Sequence, residues 1–66
     1  MRYKVVVIVV PMSDTLRSVM IDRGNEEFTS FPATVGNPVY DSFLASQSLT
    51  DAEVQAMDPD VWHDMA

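Results

Sequence analysis

The 66-residue sequence contains no cysteine, only two glycines (Gly24 and Gly36), one histidine, and no lysine or arginine beyond Arg23. Without cysteine, disulfides and thiolate metal sites are excluded. Two separated glycines cannot form a phosphate-cradling loop. A single histidine, His63, close to the C-terminal end of the sequence and with no serine elbow, is a poor basis for nucleophilic catalysis. Paired carboxylates for glycoside chemistry need a cleft that so short a chain can scarcely build. The sequence therefore argues against an enzyme that works alone.

Long apolar runs are also missing. Arg2 and Lys4 precede Val5–Val10 in the manner of a secretion signal, but the run is six residues long, stops at Pro11, and has no small-residue cleavage site after it. It is too short to cross a bilayer. The expectation is a protein that is neither secreted nor bound to a membrane.

What is present is hydrophobic residues at 47% of the chain, too many for intrinsic disorder. The charge is uneven. Residues 1–23 hold Arg2, Lys4, Arg17 and Arg23 against Asp14 and Asp22, a net +2, whereas residues 24–66 hold eight acids and no Lys or Arg, a net −8. Four scattered cations against ten acids argue against nucleic acid as a partner. The acidic half either keeps a small protein soluble or selects a basic protein surface. A domain of this size buries only about 60% of its unfolded surface, so it gains from a partner, and a second copy of the chain is one option.

The predicted fold class is α+β in one domain over 1–66: a small N-terminal antiparallel β-sheet, hairpin or three-stranded meander, over 1–32, followed by three short acidic helices over 37–66. Val5–Val10, continuously β-branched apart from nothing, reads as a strand covered on both faces. Residues 12–23 fit either a helix capped by Ser13 or a strand. The strand is preferred because Asp22-Arg23-Gly24-Asn25 resembles a hairpin turn. Glu26–Phe31 reads as a third strand ending at Pro32.

Asn37-Pro38 is an N-cap followed by proline at the first helical position, and Tyr40, Phe43, Leu44 and Gln47 then share a face. Thr50-Asp51-Ala52-Glu53 is a capping box, with Leu49 and Val54 as its hydrophobic staple. Asp58-Pro59 repeats the cap-and-proline device, with Met57 and Trp62 placed for a second staple. The predicted helices are about 38–47, 51–57 and 59–65. On the last of these, Asp60, His63 and Asp64 would share a face and could be read as a hard-cation site. The absence of the calcium-loop glycine pattern favours a capping and solvation role, and no metal or other cofactor is expected.

Candidate partner-binding residues are Val6, Ile8 and Val10 on an edge of the valine strand, Tyr40, Phe43 and Leu44 on the first helix, and Trp62 and Met65 near the end. An uncovered β-branched strand invites strand addition. Tryptophan and methionine suit interface anchors, although Trp62 could equally close the domain's own core.

The run Val19-Met20-Ile21-Asp22-Arg23-Gly24-Asn25, then Phe31-Pro32, then Asn37-Pro38-Val39-Tyr40-Asp41-Ser42-Phe43-Leu44-Ala45 resembles a module of small bacteriophage tail-associated proteins. There, a hairpin with a polar turn leads to an aromatic-or-isoleucine–proline step and a helix start with Tyr and Phe-Leu-Ala. The likeness covers residues 19–45. The family's tryptophan after Leu-Ala is replaced by Ser46. This resemblance implies a non-enzymatic component of a virion tail or fibre, or a chaperone-like assembly factor, binding a larger structural subunit in the virion or the host cytoplasm. The alternative is an acidic regulator, an antitoxin or nucleic-acid mimic, that occupies a basic protein.

Overall fold

A computed structural model describes residues 1–12 and 15–66. Three strands come first: β1, Arg2–Val9; β2, Thr15–Gly24; and β3, Glu27–Pro32. Two helices follow, α1 at Pro38–Gln47 and α2 at Asp51–Ala56, and a two-residue strand, β4, at His63–Asp64 closes the chain. The sheet is antiparallel throughout, in the order β3-β2-β1-β4. The α+β class and the meander expected over 1–32 are therefore present. Residues 15–23 are strand; the proposed cap Ser13 lies outside the described residues.

The hairpin between β2 and β3 turns on Asn25 and Glu26, not on the 22–25 tetrapeptide. Both residues adopt left-handed backbone, with φ of 53° and 63°, as a two-residue turn that matches strand twist requires. Gly24 is left-handed too, at φ 87°, and its N–H donates to Asp22 Oδ1 at 2.9 Å. The register shift between Asp22 and Gly24 is a bulge that absorbs the extra residue.

The first two helix signals are realised atom by atom. Asn37 Oδ1 accepts from the N–H groups of Val39 and Tyr40, at 3.0 and 3.2 Å. Thr50 Oγ1 accepts from the Glu53 N–H while Glu53 Oε1 accepts from the Thr50 N–H. These bonds satisfy N–H groups that a helix start leaves without partners. Helix α1 ends at Ser48, left-handed at φ 54°, where the Leu49 N–H reaches back to the Leu44 carbonyl at 3.0 Å.

The third helix does not form, and this corrects the expectation for 59–65. Asp58-Pro59 begins a turn, Asp60 takes a left-handed φ of 61°, and His63–Asp64 pairs with β1. The Asp60 N–H donates to the Val5 carbonyl at 2.8 Å and the Met65 N–H to the Met1 carbonyl at 3.1 Å. Seven residues would gain little as an isolated helix, whereas the open edge of β1 offers ready backbone acceptors to an extended segment. Cap and proline start a helix only where the chain beyond them has no better use for its backbone groups.

Side chains alternate across a strand, so the register divides the sheet into two faces. The helices cover one. Tyr3, Val5, Val19 and Phe31 project onto that face and form the core with Ala33, Tyr40, Phe43 and Val54. Tyr3 meets Phe43 edge-on at 5.0 Å between ring centroids, and Phe31 lies 5.6 Å from Phe43 and 6.5 Å from Tyr40. Leu49 and Val54, the residues of the staple, both pack into this cluster. The expectation that the valine strand is covered on both faces is corrected: no described element lies over the other one.

Candidate functional site

The uncovered face is the most distinctive surface of the molecule. Its pairs are Ile8 with Leu16, Val6 with Ser18, Lys4 with Met20 and Arg2 with Asp22, continued onto β3 by Ser30 and Phe28. Ile8, Leu16 and Phe28 are 49%, 53% and 57% exposed, and Val6 and Met20 are partly so. Val6 and Ile8 of β1 and Leu16 and Met20 of β2 form its apolar part, interrupted by Ser18 and bounded by Lys4, Arg2 and Asp22.

One end of the face is charged and aromatic. Continuing the β1–β4 register by one residue sets Trp62 opposite Lys4, on the same side of the sheet. The Arg2 guanidinium carbon lies 4.3 Å and the Lys4 ammonium 4.8 Å from the centre of the indole. Two cations two residues apart on one strand are neighbours on its surface, and a tryptophan beside them attracts both through its ring quadrupole. Arg2 also bonds Asp22 Oδ2 at 3.0 Å, and Lys4 Nζ lies 4.0 Å from Asp60 Oδ1. The Gly24 N–H first, and the Arg2 guanidinium second, hold the Asp22 carboxyl below the usual carboxylate range. Asp22 is thus engaged by Arg2, and Asp60 lies beside Lys4.

The candidate contact residues scatter. Val6 and Ile8 stand on the open face, and Val10 follows β1, partly exposed. Trp62 joins that face at the cationic corner and does not close the core. Tyr40 and Phe43, 0% and 5% exposed, are buried under the helices, with Leu44 and Met65 packed against the same cluster. In this fold those four side chains hold the helical layer to the sheet. The second staple is corrected with the third helix: Met57 packs against the core while Trp62 lies on the open face beside Arg2 and Lys4. Leu16, Met20 and Phe28 were not among the expected contact residues. The alternation of Leu16, Ser18 and Met20 in the sequence marks them as one face, but nothing local says that the helices choose the other.

The two polar features of the covered side are structural in geometry. Tyr40 donates its hydroxyl to Asp51 Oδ1 at 2.6 Å, and Gln55 Nε2 bridges Asp51 Oδ1 and the Ala33 carbonyl. Burial, and then the Asp51 carboxylate, push the Tyr40 hydroxyl up to about 12. His63 stacks on Tyr3 at 5.2 Å, and its Nε2 is buried without a hydrogen-bond partner. Asp60, His63 and Asp64 do not share a face as a cation site requires: the first is in a turn and the other two point to opposite sides of the sheet. Among the described residues no group of three His, Asp or Glu is placed to hold a metal ion.

Two shallow depressions, of about 250 and 260 Å³, lie at the end of the sheet near Met1 and Arg23. Both are smaller than the pockets that usually enclose a small ligand, about 300 Å³ and upward. Among the described residues no helix is long and apolar enough to cross a membrane. Comparison of the chain with protein-family models, with curated proteins and with solved structures finds no match.

Proposed function

We propose that this protein is a non-enzymatic binding module whose docking surface is the open face of its sheet, and that its partner is a larger protein subunit with an apolar contact surface. The observation that carries this reading is the half-exposure of Ile8, Leu16 and Phe28 on one continuous face, beside Val6 and Met20. Contiguous exposed apolar patches of this kind mark interaction sites in small proteins. The aromatic corner supplies Trp62 and Arg2, residue types favoured at the centre of interfaces. The cations of the face are already partnered, since Arg2 is engaged by Asp22 and Lys4 lies beside Asp60. That favours apolar docking over charge-driven docking. A setting in a phage particle, as a tail or fibre accessory or an assembly factor, is supported by the resemblance over residues 19–45 alone.

The test is affinity capture from the cells or particles of origin with the wild-type chain and with Leu16→Glu, at about 0.1 M and about 1 M salt. The reading expects one predominant partner, retained at high salt and lost with Leu16→Glu. Capture that survives Leu16→Glu but disappears at high salt would overturn it in favour of an acidic regulator bound to a basic protein.

A further inference from the structure

We infer that the outer edge of β1 pairs with β1 of a second copy of the chain, antiparallel, about a two-fold axis at Ile8. β4 covers that edge only at Arg2 and Tyr3, and the Asp60 N–H extends the cover to the Val5 carbonyl. The carbonyls of Met1 and Val5 both point outward, to Met65 and Asp60. Alternation along the strand therefore aims the N–H and C=O groups of Val7 and Val9 outward as well. Among the described residues no strand pairs with them on that side.

Natural edges are usually blunted by lysine, proline or a bulge. Here Lys4 and Pro11 only bracket the stretch, and Val5–Val10 between them carries no charge. An extended segment with matching backbone groups is the chemistry that satisfies such an edge. A second β1 supplies one by symmetry, because a two-fold contact uses the same patch twice.

The register follows from what each outward residue still has free. Centring the axis on Val7 would set Val9 opposite Val5, whose carbonyl already accepts from Asp60. Centring it on Val9 would set Val7 opposite Pro11, which has no N–H. Centring it on Ile8 sets Val7 opposite Val9 in both directions, and each pair exchanges both of its backbone hydrogen bonds. Ile8 then meets its own copy at a non-hydrogen-bonded position, where side chains are closest. The two open faces become one continuous surface, so the contact leaves the docking face available. The pairing is short, and each chain carries −6, so association is weak and strengthens as salt screens the repulsion.

The lack of cysteine makes the test clean. Single-cysteine variants Ile8→Cys, Val6→Cys and Leu16→Cys are oxidised under mild conditions and resolved by non-reducing electrophoresis. Ile8→Cys should cross-link about tenfold or more faster than the other two, because only at the axis do two copies of one residue reach disulfide distance. Equal rates for the three, or an Ile8→Cys chain that keeps wild-type circular dichroism and stays monomeric, would overturn the pairing. In sedimentation, Val9→Pro removes an outward N–H without touching the β1–β2 ladder. It should reduce a mass above 7.4 kDa to the monomer while the thermal transition holds. An unchanged mass would count against the inference. The outcome is separable from that of the docking face: Leu16→Glu abolishes partner capture and leaves Ile8→Cys cross-linking intact.

Discussion

The two faces of this sheet are built from the same strands and both carry apolar residues, yet one is buried and the other is half exposed. On the covered face Val5 and Val19 are fully enclosed, with Tyr3 and Phe31 beside them. On the open face, Val6, Ile8, Leu16 and Met20 occupy the alternate positions of the same two strands. The difference lies in where the aromatics meet. Tyr3 and Phe31 project toward Tyr40 and Phe43 of α1, and these rings pack at 5.0 to 6.5 Å. Aromatic side chains bury the most area per residue, so the face whose rings meet those of α1 is the one the helices cover. The open face holds aliphatic residues, Phe28 on β3 and a cation-flanked tryptophan, with no rings from the helices set against them.

The largest effect should separate the two faces directly. Phe43→Ala removes a ring at the centre of the covered side and should cost about 3–5 kcal/mol. That is comparable to all the stability a core of this size supplies, so the variant should be largely unfolded without denaturant. Leu16→Ala on the open face should change the unfolding free energy from urea titration by no more than about 0.5 kcal/mol. Comparable losses from the two would break the comparison.

A smaller effect concerns the hydrogen bond beneath the helices. The Tyr40 hydroxyl releases its proton near pH 10 in an unfolded chain and near 12 in the fold. Between those values the unfolded state has lost a proton that the native state keeps. Stability is therefore fully present below about pH 10 and falls as the pH rises through 12. Tyr40→Phe should cost about 1 kcal/mol at neutral pH and flatten most of this alkaline decline. Part of it should remain, because burial also raises Tyr3. Denaturant titrations from neutral pH upward would check both.

The smallest effects are gains at two strained backbone sites. Glu26 and Ser48 hold left-handed φ angles of 63° and 54°. Glycine takes this conformation without the Cβ penalty of about 1–2 kcal/mol. Glu26→Gly should stabilise the hairpin and Ser48→Gly the end of α1, each by roughly 0.5–1 kcal/mol after the entropy cost of glycine. Neither touches the open face, so partner capture should be unchanged. A change in capture would mean that the docking surface extends beyond the sheet.

Much of this fold was legible because its signals are local. Asn37-Pro38 and Thr50-Glu53 fix helix starts through bonds between residues two or three apart, and the meander follows from strand patterns broken at turns. Asp58-Pro59 carries a similar signal and fails, because its outcome depends on β1, more than fifty residues away in sequence. The contact residues divided for the same reason. Tyr40, Phe43 and Trp62 are alike as large aromatics in the sequence, but two are core and one lies under Arg2 and Lys4.

The sequence by itself determined the α+β class, the capped helices, the valine strand and the separation of charge between the two halves, since each depends on composition or on neighbours along the chain. Only the tertiary structure decided which face of the sheet the helices cover, that the C-terminal segment extends along β1, and where the free edge begins. Those outcomes rest on long-range competition for apolar area and backbone hydrogen bonds. A run of valines fits either face of a sheet equally well, and only the placement of its neighbours in space assigns one face to the core and leaves the other open.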